Sequence, residues 1–231
     1  MEAVLLDVGG VLVVADETRL YAGMVAAGLA RPQLPMLEAH FRVSNAIDRL
    51  THEPEWDADS AAFARIWADA LGVGDHTDDV AALDAVFAAN QPLWEQRLPW
   101  ARDGLLAIAA AGYRVGIISN ADGTVEQSLR TAGICQVGPG EGFEVEVLLD
   151  STVVGVAKPD PAIFRIALDD MGLEPEQCAY VGDTVRYDVE GAAAAGLHPV
   201  HLDPYDLCAD RAGHDHVRSL VEVPHVLAPL R

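Results

Sequence analysis

Asp7 stands where a short apolar run meets two glycines. It follows Ala-Val-Leu-Leu at residues 3–6 and precedes Gly9 and Gly10. An anion can approach the backbone N–H groups of such glycines closely, because no side chain intervenes. An aspartate in this position could act as a nucleophile or a metal ligand, and it could equally be a turn-forming residue. The segment alone does not separate these roles.

Two other pairs of polar residues follow apolar runs. Ser119 and Asn120 come after the run 114–118, where a serine hydroxyl could bind a phosphoryl oxygen, although both residue types also cap helices. Asp183 follows another apolar run, and Asp188 stands five residues later. Carboxylates without His or Cys partners suit a hard cation such as Mg²⁺. The structural alternative is a helix cap at Asp183 and a solvated Asp188.

Lys158 is the only lysine among the 15 basic residues of the chain, and it lies between Ala157 and Pro159 in the segment GVAKPDP. Because every other basic residue is an arginine, this lysine indicates that a compact ammonium on a flexible stem is needed here, although a single lysine could also remain by chance. Beside Asp7, an ammonium would keep the carboxylate ionised and would neutralise phosphate charge.

Alternating strand and helix patterns must position these residues. Strands are predicted at 3–6, 114–118, 143–149, 178–181 and 199–202, and helices at 105–112, 123–132, 161–171 and 185–195. Strands separated by single helices indicate parallel βαβ units in a doubly wound α/β sheet. Ligands of such sheets bind beyond the carboxyl ends of the strands. We therefore expect Asp7, Ser119 and Asp183 to converge on one crevice.

The stretch between the first two strands has a different pattern. Residues 16–96 contain Ala-rich segments with helical spacing, interrupted by prolines and glycines. This pattern predicts a helical insertion. The α/β core would then comprise residues 1–15 and 97–231.

The charge of the chain limits its partners. With 36 acidic and 15 basic residues, the formal net charge is −21. Such a charge disfavours binding to nucleic acid and to anionic membranes. The three cysteines, Cys135, Cys178 and Cys208, indicate neither a disulfide framework nor a CxxC metal site. With no basic leader at the N-terminus, these features predict a cytoplasmic protein, either a monomer or a homodimer.

Four segments together resemble a known family. LLDVGGVLV, ISNAD, GVAKPDPAIF and YVGDTVRYDVEGAAAAGLHPV occur in the order and spacing of the four motifs of the haloacid dehalogenase-like hydrolase superfamily. The helical stretch between the first two motifs is similar to the α-helical cap of its phosphoglycolate phosphatase-like branch. The resemblance implies a Rossmann-like core with an inserted cap, acting on a small phosphorylated metabolite with Mg²⁺.

The resemblance also implies a role for each matching residue. Asp7 would be the nucleophile that forms an aspartyl-phosphate. The phosphoryl group would be held by the glycine loop and by side chains at the second and third motifs, namely Gly9, Gly10, Ser119, Asn120 and Lys158. The Mg²⁺ ligands would be Asp7, the backbone carbonyl of Gly9 and Asp183, with Asp188 supporting Lys158 or a metal-bound water.

Gly9 departs from the pattern of the family's phosphatases. Their second aspartate in the first motif protonates the leaving group and then activates water, and glycine can do neither, a loss typically worth about 10²- to 10⁴-fold. Asp16 is the candidate substitute, although a helix cap explains it as well. The departure keeps two alternatives open: a 2-haloacid dehalogenase, which the metal-binding Asp183 disfavours, and a weakly active or non-catalytic protein that binds a phosphorylated ligand.

Three groups of residues give weaker signals. The HDH run at His214 and His216, near Cys208 and Asp210, has a spacing that could suggest a zinc site, but its polar C-terminal segment without paired cysteines favours a surface loop. Four tryptophans are interpreted as core anchors rather than pocket residues: Trp56, Trp67, Trp94 and Trp100. Polar residues of the insertion that could contact substrate are His40, Arg42 and His52.

Overall fold

The computed structural model describes residues 1–50, 60–74, 76–208 and 213–230. The chain forms two compact units: Met1–Val13 together with Arg97–Arg231, and Val14–Gln96. His52, a possible substrate contact, and Trp56, a predicted core residue, lie outside the described part. Within that part, no helix has both the length and the apolar character required to cross a membrane.

The first seven elements of the described chain include the four helices of the unit Val14–Gln96. They are β1 (Ala3–Leu6), β2 (Val13–Val14), α1 (Glu17–Ala26), α2 (Met36–Leu50), α3 (Ser60–Leu71), α4 (Thr77–Ala89) and β3 (Gln96–Arg97).

The rest of the chain alternates strands and helices. The elements are α5 (Ala101–Ala110), β4 (Arg114–Ser119), α6 (Val125–Thr131), β5 (Cys135–Val137), β6 (Phe143–Val145), β7 (Val147–Asp150), α7 (Ser151–Val154), α8 (Pro161–Met171), β8 (Cys178–Gly182), a π-helical segment (Val185–Glu190), α9 (Gly191–Ala195), β9 (His198–Leu202), β10 (Asp215–Val217) and α10 (Val223–Leu227). Single turns of 3₁₀ helix occur at Pro175–Gln177, Leu220–Glu222 and Ala228–Leu230.

A six-stranded sheet forms the centre of the larger unit, in the order β10-β9-β8-β1-β4-β7. Each of these neighbouring pairs is parallel. The residues of β1 are fully buried, as expected for a central strand covered on both faces. Leu6 lies opposite Ile117 and Val181, so the chain segments after β1, β4 and β8 leave the sheet at the same edge. The predicted α/β fold class is confirmed.

Helix α8 shows how the sequence covers the sheet. Its buried residues recur with helical spacing and contact one face of the sheet: Ile163, Phe164, Ala167, Leu168 and Met171. Asp160 caps the helix, since its side chain accepts a hydrogen bond from the Ala162 N–H at 2.9 Å, and Pro161 occupies the first turn. Gly172 ends it in the left-handed conformation.

Two predicted elements differ from the structure. The single strand expected at 143–149 is divided at Glu146, because β6 pairs with β5 in a separate ribbon while β7 pairs with β4. The helix expected at 185–195 begins as the π-helical segment before continuing as α9. That segment carries Asp188, whose carboxylate accepts hydrogen bonds from the N–H and hydroxyl of Thr184. Such wide turns often occur at functional sites.

The described residues of the unit Val14–Gln96 lie mainly in helices α1 to α4. Trp67 is fully buried, and its ring contacts those of His40, Phe63, Phe87 and Trp94. These contacts make Trp67 and Trp94 part of an aromatic core within the unit. Trp100 belongs to the other unit, where its indole N–H donates to the Val11 carbonyl at 3.0 Å.

Candidate active site

Asp7 lies immediately beyond the central strand of the sheet. Its backbone N–H donates to the Val181 carbonyl at 2.9 Å, which extends the β1–β8 pairing by one residue. The next residues turn back, since Gly10 has φ of +69° and its N–H donates to the Val13 carbonyl at 2.8 Å. The side chain of Asp7 is 12% exposed, so it is largely shielded from solvent.

The ammonium of Lys158 connects three oxygen atoms. Its Nζ lies 2.8 Å from Oδ1 of Asp7, 2.6 Å from Oδ1 of Asp188 and 2.9 Å from the hydroxyl of Tyr180. Burial by itself lowers the pKa of an ammonium, but the carboxylates of Asp188 and Asp7 outweigh this effect. The pKa of Lys158 therefore lies above its usual value, and its charge is retained at physiological pH.

Asp188 is held on both sides of its carboxylate. Oδ1 accepts from Lys158, while Oδ2 accepts from the Thr184 N–H at 3.0 Å and from the Thr184 hydroxyl at 2.6 Å. A side chain at Gly182 would overlap Asp188, so this close approach to β8 requires glycine. With both oxygens engaged and 1% exposure of its side chain, Asp188 is a rigid support for Lys158.

Tyr180 is a site residue that the sequence analysis missed. Its hydroxyl accepts a hydrogen bond from Lys158 and donates one to the Ile118 carbonyl at 3.1 Å. Burial raises its pKa well above the usual value, and the charge of Asp188 adds to this rise. The sequence signal that could have identified it is a tyrosine in a strand otherwise made of small or apolar residues, because a buried phenol needs a polar partner.

Asn120 fixes the backbone of Lys158. Its Nδ2 donates to the Lys158 carbonyl at 2.9 Å, and its Oδ1 accepts from the Lys158 N–H at 2.8 Å. These two bonds give Asn120 a positioning role, and direct contact of its side chain with substrate stays a prediction. Ser119 is buried at the end of β4, at the same sheet edge as Asp7.

Three carboxylates converge beside this ammonium. One oxygen from each of Asp7, Asp183 and Asp188 lies within 4.8 Å of the others. Burial raises the pKa of Asp7 to about 7; the Lys158 ammonium opposes this rise, whereas the charges of Asp188 and Asp183 add to it. Three carboxylates facing one ammonium leave an excess of buried negative charge. These oxygens suit a hard divalent cation, which would compensate that charge.

The other predicted residues lie in the helical unit. Asp16 caps α1, with Oδ1 accepting from the Arg19 N–H at 2.8 Å. This contact accounts for an aspartate at that position, and its part in catalysis stays a prediction. Arg42 is exposed and pairs with Glu38 one helical turn away, whereas His40 is buried in the aromatic core.

The parallel six-stranded sheet and the aspartate–lysine cluster define an α/β protein with a candidate active site beyond its central strand, and comparison with known proteins identifies the family. A family model for haloacid dehalogenase-like hydrolases matches residues 1–196. The chain therefore belongs to the haloacid dehalogenase-like hydrolase family.

Curated relatives match parts of the chain. The human haloacid dehalogenase-like hydrolase domain-containing protein 3 is 32% identical over 147 residues, which cover 61% of this chain and 54% of the relative. A phosphoserine phosphatase of Thermus thermophilus is 45% identical over 67 residues, covering 29% of this chain and 27% of that protein. The chain thus spans about half or less of the length of these relatives.

Solved structures share the fold across the whole chain. A HAD phosphatase from Thermococcus onnurineus aligns with a TM-score of 0.60 and 20% identity, covering 98% of both chains. A 2-haloacid dehalogenase from Pseudomonas syringae aligns with a TM-score of 0.56 and 22% identity, covering 100% of both. The same fold thus occurs in proteins named for phosphate and for halide chemistry, so the fold alone does not decide between them.

Proposed function

We propose that this protein is a Mg²⁺-dependent phosphatase that hydrolyses a small phosphomonoester through an aspartyl-phosphate on Asp7. The observation that carries the proposal is the buried cluster in which Lys158 joins Asp7 to Asp188 while Asp183 lies within 4.8 Å of both. Phosphatases among the relatives, including the phosphoserine phosphatase, support phosphoester chemistry.

Asp7 is suited to nucleophilic attack. Lys158 fixes the orientation of its carboxylate through Oδ1. Because burial raises the pKa of Asp7 to about 7, further positive charge nearby would favour the ionised, nucleophilic form. In the first step, a carboxylate oxygen of Asp7 forms a bond to phosphorus and the bond from phosphorus to the leaving oxygen breaks. In the second, water attacks phosphorus and the bond to Asp7 breaks, which releases inorganic phosphate.

Mg²⁺ would be held by Asp7, the Gly9 carbonyl and Asp183, and it would supply positive charge to the nucleophile and to the phosphoryl oxygens. Asp188 belongs to the same cluster, but its oxygens are engaged by Lys158 and Thr184. We assign Asp188 to the support of Lys158. Ser119 and the Gly9 N–H would hold the phosphoryl oxygens as charge develops, whereas the Gly10 N–H already donates to the Val13 carbonyl.

Because residue 9 is a glycine, the site has no side-chain acid at that position to protonate the leaving group. The protein would therefore transfer phosphoryl groups most readily from esters whose leaving group needs no proton, such as an aryl phosphate. The second step would be slow, because no carboxylate at position 9 activates water. Asp16 stays the candidate for the missing acid/base group.

A 2-haloacid dehalogenase is the second candidate, and Gly9 is the observation that favours it. A halide leaves without a proton, so that chemistry would not need an acid at position 9. The three carboxylates of Asp7, Asp183 and Asp188 suit a divalent cation, however, and release of a halide would not require one. A non-catalytic protein that binds a phosphorylated ligand is a third reading, and the complete polar cluster around Lys158 disfavours it.

A substrate panel separates these readings. Aryl and alkyl phosphates and 2-haloacids would be incubated with the wild type, with Asp7→Asn and with Asp170→Asn, an exposed aspartate that serves as the matched control. We expect Mg²⁺-dependent phosphate release that EDTA and Asp7→Asn abolish and Asp170→Asn retains. Metal-independent halide release would contradict the proposal, as would binding of phosphate without turnover of any ester.

A further inference from the structure

A second group of side chains that could bind a metal lies on and beside β9 and β10, at the far side of the sheet from β7. His201 on β9 pairs in register with His216 on the neighbouring β10, and their ring centroids are 5.2 Å apart. His214 precedes β10, and its ring centroid lies 4.5 Å from that of His216. One donor atom from each of these histidines and the sulfur of Cys208 lie within 4.8 Å of one another.

The hydrogen bonding of His201 fixes which ring nitrogen is available. Its Nε2 lies 3.2 Å from the Asp183 backbone carbonyl, which can only accept a hydrogen bond, so Nε2 carries the proton. Nδ1 of the neutral ring then has a lone pair. This atom is buried and has no hydrogen-bond partner among the described residues, and His201 is 4% exposed. A metal-bound histidine typically has this arrangement, with one nitrogen on the metal and the other donating to a carbonyl.

Cys208 is held toward the histidines by the turn that precedes it. The buried carboxylate of Asp203 accepts hydrogen bonds from the N–H groups of Leu207 and Cys208 at 2.9 and 3.0 Å. The Cys208 sulfur lies 4.0 Å from Nε2 of His214. Donor atoms around tetrahedral Zn²⁺ are separated by about 3.3 to 3.7 Å, so only small side-chain movements would close the shell.

We propose that His201, Cys208, His214 and His216 form a Zn²⁺ site distinct from the acidic cluster at Asp7. Three imidazoles and a thiolate suit Zn²⁺ rather than Mg²⁺, which prefers oxygen ligands. Four protein ligands leave no open position, which is the pattern of a structural site. The bond from His201 to Asp183 connects the zinc site to a residue of the acidic cluster.

The sequence by itself predicts a surface loop for the HDH run. The structure corrects this expectation, since residues Asp215–Val217 form β10 and His214 and His216 are half-buried. The missing signal was His201, which lies on a preceding strand and comes close only through parallel pairing.

Cobalt provides a direct test, because Co²⁺ replaces Zn²⁺ and its spectrum reports both coordination geometry and thiolate ligation. Untagged full-length protein would be stripped with a chelator and titrated with Co²⁺ in excess Mg²⁺, which occupies oxygen-donor sites. We expect one equivalent of Co²⁺ to give tetrahedral visible bands and a thiolate-to-cobalt charge-transfer band, both removed by Zn²⁺. Absence of that charge-transfer band in the wild type would overturn the proposal.

Variants identify the ligands. Cys208→Ser should abolish the charge-transfer band, and His216→Gln should weaken Zn²⁺ binding by about 100-fold or more. The matched controls, Cys178→Ala and the exposed His225→Ala, should keep both properties. A band that persists in Cys208→Ser would contradict the assignment. If circular dichroism shows that Cys208→Ser does not fold, His214→Gln applies the same test: weaker Zn²⁺ binding supports the site, and unchanged binding overturns it.

Discussion

Lys158 contacts Asp7 directly, with 2.8 Å between Nζ and Oδ1, and the same ammonium lies 2.6 Å from Asp188. The only lysine of a chain with a net charge of −21 is thus buried between two carboxylates. An anionic substrate would otherwise be repelled by so acidic a protein. The local ammonium, together with a divalent cation, would overcome that repulsion at the nucleophile.

Removing this ammonium should destabilise the fold. Lys158→Met leaves two buried carboxylates without their shared partner, which costs about 3–5 kcal/mol in comparable buried pairs. The free energy of unfolding, measured by urea denaturation, should fall by this amount. Arg102→Met, at an exposed position, is the control and should change stability by less than about 0.5 kcal/mol. An equal effect of the two substitutions would show that the Lys158 contacts contribute nothing.

The hydroxyl of Tyr180 should support the ammonium. Tyr180→Phe removes one partner of Lys158 and the donor to the Ile118 carbonyl, and we expect a loss of about 1–3 kcal/mol in stability. Tyr21→Phe is a matched control, because the Tyr21 hydroxyl donates to the Leu34 carbonyl at 2.6 Å. Chemical denaturation of both variants should show the larger loss for Tyr180→Phe, and the reverse order would contradict a role for its hydroxyl beside Lys158.

Mg²⁺ affinity should depend on pH. Because the pKa of Asp7 is raised to about 7 in the metal-free protein, the carboxyl group is mostly protonated below this pH. The cation must then displace a proton, so affinity should fall by about tenfold between about pH 8 and about pH 6. Calorimetry in buffers of different ionisation enthalpy would measure both the affinity and the proton released. The pH dependence should disappear in Asp7→Asn, and a Kd independent of pH in the wild type would contradict the raised pKa.

Gly9→Asp tests whether the acid/base group is missing. A β carbon at Gly9 meets no atom within 4 Å, so the substitution is sterically permitted. We expect turnover of alkyl phosphates to rise by about 10²-fold or more. Gly9→Asn is the matched control, since it has the same shape without the acid. If both variants turn over substrate at the wild-type rate, another group already supplies the proton.

The course of the main strands was predictable because their residue patterns are local. The apolar runs before Asp7, Ser119 and Asp183 placed these residues at strand ends, and parallel pairing brought the ends to one edge. Among the partners of Lys158, Tyr180 was harder to predict, because it resembles an ordinary core aromatic. His201 and His216 meet only through the register of β9 and β10. Sequence spacing does not encode such long-range contacts.

The covalent intermediate gives the most direct test of the proposed chemistry. The wild type, mixed with an aryl phosphate and Mg²⁺, would be quenched with acid within the first turnover and examined by peptide mass spectrometry. Because Gly9 cannot activate water, the second step should be slow and the intermediate should accumulate. We predict one added phosphoryl group on the peptide that contains Asp7, and none in Asp7→Asn. Normal turnover by Asp7→Asn, or a phosphoryl group on another residue, would contradict the mechanism.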